Sequence, residues 1–228
     1  MNILIFAPHP DDEVLGCGGI IAKHTEYGDD VSVCVVTSPQ KPIYNNQLAI
    51  KNEWPHILYP EIQKSHELLG IKHTIFLQFP AAALEAVPRH KLNEEIYKVI
   101  RTERPEIVYI PHFGDMQKDH ALVSEAVMVA VRPRGDQVVH KVYAYETLSE
   151  TEWNIPHVSN VFLPNVFVDI TDYLKKKKAA MECYGSQLRP FPDPRSLEAI
   201  DALAKVRGSA AGVWAAEAFS LIREYDLL

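Results

Sequence analysis

A histidine and three acidic residues lie close together near the amino terminus, in the run His9-Pro10-Asp11-Asp12-Glu13. Adjacent carboxylates repel one another unless a cation offsets their charge. His9 and Asp12 are three positions apart, so a single turn can direct both side chains to one point. An imidazole with a carboxylate suits Zn²⁺, or Mn²⁺ or Fe²⁺, whereas an all-oxygen set would favour Mg²⁺ or Ca²⁺. We therefore predict that His9 and Asp12 bind a divalent metal ion.

The same acidic run has a second interpretation, because carboxylates are also favoured at the start of a helix. A helix is predicted from about Val14 to Tyr27, directly after the run. We assign this capping role to Glu13 and keep the metal-binding role for His9 and Asp12.

A second polar segment, His112-Phe113-Gly114-Asp115-Met116-Gln117-Lys118-Asp119-His120, could complete the site. His120 would open a helix and could supply a third ligand. Two histidines and one aspartate would leave a fourth position for water, which is typical of catalytic rather than structural zinc sites. Alone, His120 could equally be a helix-capping or core histidine.

Alternating strands and helices are predicted around these segments. The run Ile3-Leu4-Ile5-Phe6-Ala7 is uniformly apolar, as in a parallel strand buried on both faces. Further strands are predicted at 31–37, 73–77, 107–110, 138–145 and 161–168; helices at 59–69, 92–101, 119–131, 171–183, 196–204 and 217–223; and a long loop at 38–57. This alternation predicts an α/β, Rossmann-like, mostly parallel sheet with helices on both faces. Both polar segments follow strands, at the edge where such sheets bind ligands.

The glycine cluster Gly16-Cys17-Gly18-Gly19 could suggest a dinucleotide-binding loop, but the fingerprint requires glycine where Ile21 stands. We predict instead that the small residues let this helix approach the sheet closely. The basic run Lys175-Lys176-Lys177-Lys178 is predicted to form the solvated face of a helix.

Length and composition favour a single domain over residues 1–228. With a formal net charge of -7, the chain is not expected to bind nucleic acid. Three cysteines without a C-x-x-C pair argue against a disulfide framework. No signal peptide or apolar run of membrane-spanning length is evident, so we expect a cytoplasmic protein.

Together, His9-Pro10-Asp11-Asp12-Glu13 and Asp115-x-x-x-Asp119-His120 resemble the PIG-L / LmbE-like family of zinc-dependent de-N-acetylases. The stretches Pro111-His112-Phe113-Gly114-Asp115, Tyr184-x-Ser186-Gln187 and Ala216-Glu217-Ala218-Phe219 look like those of its bacterial sugar-deacetylase branch. The resemblance covers nearly the whole chain. It implies an LmbE-like fold, a small N-acetylated sugar as substrate, which could be nucleotide-linked, and a homo-oligomer, either a trimer or a hexamer.

Residue by residue, the resemblance implies that His9, Asp12 and His120 bind Zn²⁺ and that Asp11 is the general base. A carboxylate beside a metal can take a proton from water and return it to the leaving amine. Asp11 could alternatively be a hydrogen-bonding loop carboxylate.

Gln117 departs from the family pattern D-x-H-x-D-H, in which a histidine works with the residue at the Asp119 position on the oxyanion. Gln117 can donate a neutral hydrogen bond but cannot carry a charge. Loss of one oxyanion donor costs roughly 10²–10³ in rate, so we expect Gln117 to weaken catalysis without abolishing it. His112 could compensate in part.

Two other functions stay open: an amidase acting on another small acyl-amine or a thiol-sugar conjugate, and a metal-binding homologue that has lost catalysis through Gln117. Arg189, Arg195 and Arg207 could bind an anionic part of a substrate or could be structural.

Overall fold

A computed structural model of the chain describes residues 1–38, 54–134 and 138–226. The strands in these ranges are β1 (Asn2–Ala7), β2 (Asp30–Ser38), β3 (His73–Pro80), β4 (Ile107–Pro111), β5 (Lys141–Tyr145), β6 (Val166–Asp169) and β7 (Ala216–Glu224). The α-helices are α1 (Asp12–Glu26), α2 (Trp54–Leu69), α3 (Arg89–Glu103), α4 (Lys118–Ala130), α5 (Leu174–Glu182) and α6 (Leu197–Ala211).

The strands form one seven-stranded sheet in the order β3-β2-β1-β4-β5-β7-β6. The strands β3, β2, β1, β4 and β5 pair in parallel, whereas β7 is antiparallel to both β5 and β6. The predicted α/β fold with a mostly parallel sheet is therefore confirmed.

The core lies on both faces of this sheet. Along β1, Ile3 and Ile5 pack into a cluster with α1, α2, α5 and α6, whereas Leu4 and Phe6 pack into a second cluster with α3 and α4. A strand covered on both sides must be apolar at every position, which explains the unbroken run in the sequence.

The segment 217–223 was predicted to be helical and is instead part of strand β7, so that prediction is wrong. Alanine and glutamate favour helices, but this segment pairs along both edges. Phe219 lies opposite Tyr145 of β5 and opposite Val166 of β6. Pairing and burial outweigh intrinsic propensity here.

Several element boundaries also differ from the predictions. Strands β5 and β6 begin later than expected, and α6 continues to Ala211. Residues 54–57, expected in a loop, belong to α2, and the rest of that predicted loop, 39–53, lies outside the described residues.

The glycine cluster of α1 allows close packing, as predicted. A Cβ atom at Gly16 would lie 2.1 Å from the ring of Tyr145, and one at Gly19 would lie 2.7 Å from Ile170. Tyr145 in turn donates a hydrogen bond from its hydroxyl to the carbonyl of Phe6 at 2.7 Å. Any larger residue at these glycines would separate α1 from the sheet that carries the loop of His9 and Asp11.

One member of the basic run contradicts the solvated-face prediction. Lys177 is buried, and its Nζ donates to Oε1 of Glu217 at 2.7 Å and to the carbonyl of Leu15 at 2.8 Å. A Cβ at Gly18 would lie 2.9 Å from Cγ of Lys177, so this glycine makes room for the lysine stem. The reason for the error is that a buried partner on a distant strand offsets the charge.

Within the described ranges, no helix is long and apolar enough to cross a membrane. The loops after β1 and β4 lie next to each other because these strands are parallel neighbours. Their carboxyl ends bring the two polar segments together.

Candidate metal centre

His9, Asp12 and His120 form a cluster at the carboxyl ends of β1 and β4. Each offers one ligand atom, and these atoms lie within 4.8 Å of one another. Oδ2 of Asp12 is 3.2 Å from Nδ1 of His9 and 3.3 Å from Nε2 of His120. Asp12 and His120 are fully buried. The three residues predicted as metal ligands are thus assembled, and their role as ligands stays a prediction.

Two atoms of this cluster are buried without a hydrogen-bond partner: Oδ1 of Asp12 and Nε2 of His120. Unsatisfied buried polar atoms are costly and rare. A divalent cation at this point would satisfy both atoms, and two imidazoles with one carboxylate suit a transition metal better than Mg²⁺ or Ca²⁺. The residues present therefore fit a metal ion.

Carboxylates behind both histidines fix the orientation of the rings. Nδ1 of His120 shares a 2.8 Å hydrogen bond with Oδ2 of Asp115, which leaves Nε2 directed at the cluster. Nε2 of His9 lies 3.0 Å from Oδ2 of Asp119. Such carboxylate partners select the tautomer of a metal-binding histidine and raise its basicity.

Asp119 was predicted to take part in catalysis on the oxyanion, and in the structure its carboxylate lies beside His9. Besides His9, its carboxylate accepts hydrogen bonds from the backbone N–H groups of Ala82 at 2.6 Å and Leu84 at 3.1 Å. These contacts orient the His9 ring and connect α4 to the segment after β3. A direct catalytic role stays a prediction.

Asp11 occupies a strained position at the start of α1. Its φ angle of 99° is rare for a non-glycine residue. Its N–H donates to Oε2 of Glu13 at 3.1 Å, and its carbonyl accepts from the N–H groups of Val14 and Leu15. These local hydrogen bonds stabilise the strained backbone conformation. Strained residues of this kind are common at functional sites, where a side chain must take one particular orientation.

The Asp11 carboxylate is buried, and neither of its oxygens has a hydrogen-bond partner. Oδ2 lies 3.3 Å from Nη1 of Arg195. Burial raises the pKa of Asp11 to about 8, with Asp12 and Glu13 adding to the rise and Arg195 opposing it. An added cation beside it would lower this pKa and favour the ionised form that a general base requires.

Glu13 supports the helix start, as predicted, and has two further partners. Its Oε1 accepts a hydrogen bond from the Tyr184 hydroxyl and lies 3.2 Å from Nε2 of His66. These contacts join α1 to α2 and to the stretch that contains Tyr184. Nothing within the acidic run itself predicts such distant partners.

Charge coupling is strong within the cluster. Burial alone would lower the pKa of His9 and of His120. Hydrogen bonds to Asp119 and Asp12 instead raise the pKa of His9 to about 9, and Asp12 and Asp115 raise that of His120 to about 10. The pKa of Asp12 is lowered despite its burial, because both imidazoles stabilise its negative form.

Gln117 lies directly before α4, and its N–H donates to Oε2 of Glu150 at 3.1 Å. Its Oε1 is buried without a partner. His112, the alternative candidate, is bonded through Nε2 to the carbonyl of Asn160 at 3.0 Å and packs edge-on against Phe162. The unpartnered atom of Gln117 is thus an acceptor, and one ring nitrogen of His112, Nε2, is already engaged.

The three arginines have different surroundings. Arg207 makes two hydrogen bonds to Glu146, at 2.7 and 2.6 Å, and Arg189 donates to the carbonyls of Ser186 and Leu188. Only Arg195 of these three contacts a predicted site residue, Asp11. Its partner was not recognisable from the sequence, because Arg195 lies in a proline-rich loop far along the chain.

Comparison with known proteins gives the family. The model of the PIG-L family, described as GlcNAc-PI de-N-acetylase, matches residues 4–131. The diacetylchitobiose deacetylase of Thermococcus kodakarensis is 31% identical over 211 residues, covering 84% of this chain and 71% of that protein. This chain belongs to the PIG-L family.

More distant relatives agree with this membership. A Bacillus anthracis protein named "Probable N-acetyl-alpha-D-glucosaminyl L-malate deacetylase 2" is 26% identical, covering 82% of this chain and 81% of its own. The crystal structure of a conserved protein of Thermus thermophilus superposes with a TM-score of 0.78 at 25% identity, covering 100% of this chain and 97% of the other. This chain therefore shares the fold of that protein.

Proposed function

We propose that this PIG-L family member is a zinc-dependent hydrolase that removes the acetyl group from an N-acetylated amino sugar or sugar conjugate. The observation that carries the proposal is the buried cluster of His9, Asp12 and His120, in which two buried polar atoms lack a hydrogen-bond partner, with Asp11 alongside. The relatives named as deacetylases of diacetylchitobiose and of a glucosaminyl malate support an acetamido sugar as substrate.

His9, Asp12 and His120 would hold the metal, with Asp119 and Asp115 orienting the two imidazoles. When bound, a divalent ion polarises an acetamide carbonyl and lowers the pKa of a nearby water molecule. Asp11 takes the proton from the water as the water oxygen bonds to the acetyl carbon, and it returns that proton to the amine as the C–N bond breaks. The products are acetate and the free amino sugar.

Gln117 is the donor that we assign to the oxygen of the tetrahedral intermediate. Its side chain lies at the entrance to α4, and its amide can supply a neutral hydrogen bond. Arg195, which lies 3.3 Å from Asp11, helps to keep that carboxylate ionised and oriented. The presence of Asp11, Gln117 and Arg195 beside the three proposed ligands favours an active hydrolase over a metal-binding homologue without activity.

The test is acetate release from N-acetylglucosamine, diacetylchitobiose and an N-acetylglucosaminyl malate conjugate. The chain is assayed as purified, after chelation, and after Zn²⁺ is restored. We expect activity on at least one sugar, loss on chelation and recovery with Zn²⁺. No acetate from any member of the panel by the Zn²⁺-loaded protein would contradict the proposal, and activity only on other acyl-amines would favour the alternative amidase.

Asp11→Asn provides the mechanistic control. It keeps the shape of the side chain but removes the base, so we expect bound Zn²⁺ with turnover lowered by about 10²–10⁴-fold. Asp172→Asn, at an exposed position on the surface, is the matched substitution expected to have no effect.

We further propose a single deacetylase domain over residues 1–228 and a homo-oligomer. Exposed apolar side chains in the segment between β5 and β6 support oligomerisation, since Val158 is 87% and Leu163 is 71% exposed. Light scattering coupled to size-exclusion chromatography would distinguish a monomer from a trimer or a hexamer. The cytoplasmic location stays a prediction.

A further inference from the structure

Three consecutive residues after β5, Ser149, Glu150 and Thr151, lie in a tight turn. The N–H groups of Glu150 and Thr151 both donate to the carbonyl of Thr147, at 3.1 and 2.9 Å, and the N–H of Thr147 donates to Oγ1 of Thr151 at 2.8 Å. Ser149 has a φ of 76°, a conformation that residues other than glycine rarely adopt. Ser149 and Glu150 are buried, and Thr151 is half-buried.

Thr151 connects this turn to a proposed metal ligand. Its hydroxyl donates to Oδ1 of Asp115 at 2.6 Å, while Oδ2 of the same carboxylate bonds Nδ1 of His120 at 2.8 Å. The hydroxyl thereby fixes the rotation of the Asp115 carboxylate. That rotation determines where the His120 ring points.

Glu150 connects the turn to the entrance of α4. Its carbonyl accepts from the N–H of Met116 at 3.0 Å, and its carboxylate accepts from the N–H of Gln117 at 3.1 Å. Two successive N–H groups of the loop are therefore held by one residue. Helix α4, which carries Asp119 and His120 in its first turn, starts directly after them.

Ser149 connects the turn to the proposed general base. Its Oγ accepts a hydrogen bond from Nε of Arg195 at 3.0 Å, and Nη1 of that arginine lies 3.3 Å from Oδ2 of Asp11. Gln187 holds the same guanidinium from another side, at 3.2 Å. The serine hydroxyl thus fixes the plane of the group that faces Asp11.

We propose that Ser149, Glu150 and Thr151 form one positioning element of the site, in which each residue holds a different functional group. Thr151 acts through Asp115 on His120, Glu150 acts on Gln117 and the start of α4, and Ser149 acts through Arg195 on Asp11. The parts concerning Gln117 and Asp11 rest on the proposed function, whereas the part concerning His120 requires only metal binding. In this proposal the strained backbone of Ser149 is retained because it lets three consecutive side chains face three different partners.

Metal affinity tests the Thr151 branch without any substrate. We expect Thr151→Val to weaken Zn²⁺ binding by up to about 10-fold, which is less than the 10- to 100-fold that is usual when a group bonded directly to a metal ligand is removed. Thr151→Ser keeps the hydroxyl and should bind Zn²⁺ like the parent. Thr102→Val, at an exposed position of α3, is the matched control. Binding is measured by competition with a chromophoric chelator, and the absorption spectrum of the Co²⁺-loaded protein reports ligand geometry.

A double-mutant cycle separates positioning from general loss of structure. If Thr151 acts through Asp115, then Thr151→Val should weaken Zn²⁺ binding little further in an Asp115→Ala background. Additive losses of affinity, or parent affinity in Thr151→Val, would overturn this branch. Far-UV circular dichroism of each metal-free variant verifies the fold, and Thr151→Ser supplies the comparison where Thr151→Val does not fold.

Kinetics test the other two branches. Ser149→Ala should keep parent Zn²⁺ affinity while kcat falls by roughly 10- to 100-fold, because misplacement of a catalytic group is costly. Ser209→Ala, exposed on α6, is its control.

Glu150→Ala should lower kcat, and Glu150→Gln, which retains an acceptor for the Gln117 N–H, should restore most of it. Parent kcat in Ser149→Ala and Glu150→Ala would refute these branches. Absence of activity in the parent would instead refute the proposed function, with the Zn²⁺ measurements still decisive for Thr151.

Discussion

The buried ion pair between Lys177 and Glu217 should contribute strongly to folding stability. The side chains are 5% and 4% exposed, and Nζ lies 2.7 Å from Oε1. The Glu217 carboxylate also accepts hydrogen bonds from the N–H groups of Gly19 and Ile20, each at 2.7 Å, so it is bonded to the backbone in the middle of helix α1. The perturbation is Lys177→Met, which keeps the length of the stem but removes the charge.

The expected cost follows from the groups left behind. Removing one partner of a buried ion pair costs about 3–5 kcal/mol, because the remaining charge is uncompensated. The carbonyl of Leu15 also loses its donor from Lys177. For a chain of this size, about 1 kcal/mol corresponds to roughly 2–4 °C in Tm. We therefore expect Lys177→Met to lower Tm by roughly 6–20 °C.

The assay is urea unfolding followed by circular dichroism, with thermal unfolding in parallel. Lys175→Met is the matched control: it lies in the same basic run and helix but is exposed, so its effect should stay below about 0.5 kcal/mol. The double variant Lys177→Met/Glu217→Gln should recover part of the loss, because it leaves no buried charge. A loss below about 1 kcal/mol in Lys177→Met would refute the reasoning.

Three further predictions concern catalysis, metal binding and the packing of α1. Gln117→His should raise kcat with Zn²⁺ content unchanged, since a charged donor would replace a neutral one. The measurements are steady-state kinetics and metal analysis, and an equal or lower kcat at the same Zn²⁺ content would contradict the prediction. Zn²⁺ binding should tighten as pH rises from about 6 to 9, because His9, with a pKa of about 9, and His120, with a pKa of about 10, must each lose a proton before ligation. Calorimetry at about pH 7 in buffers of different ionisation enthalpy should show release of two to three protons, from His9, His120 and Asp11, whose pKa of about 8 the cation lowers, and a pH-independent affinity would refute it. Gly16→Ala should destabilise the protein by about 1–3 kcal/mol, because the added methyl would overlap the Tyr145 ring; an unchanged urea midpoint would contradict this.

The sheet, and the position of the two polar segments side by side at its edge, could be predicted from the sequence. An apolar strand followed by a polar loop fixes where that loop must lie, and β1 and β4 both end at such loops. The residues that orient the site gave no such signal. Thr151 and Glu150 are ordinary polar residues of a turn, and Arg195 lies in a proline-rich loop. Their importance depends on contacts across 36, 33 and more than 180 positions, which no local pattern contains.

The two clearest errors of prediction have a common physical cause. The segment of Glu217 was assigned to a helix, and Lys177 was assigned to a solvated face, because each segment was interpreted by itself. Strand β7 in fact enters the sheet beside β5, which places Glu217 against the middle of α1, where Lys177 of α5 meets it. The pair bonds Leu15, Gly19 and Ile20, so two segments distant in sequence, α5 and β7, fix helix α1. Since Asp12 begins that helix, its orientation depends in part on a strand more than 200 positions away, which explains why the proposed ligands were recognisable from sequence while the residues that support them were not.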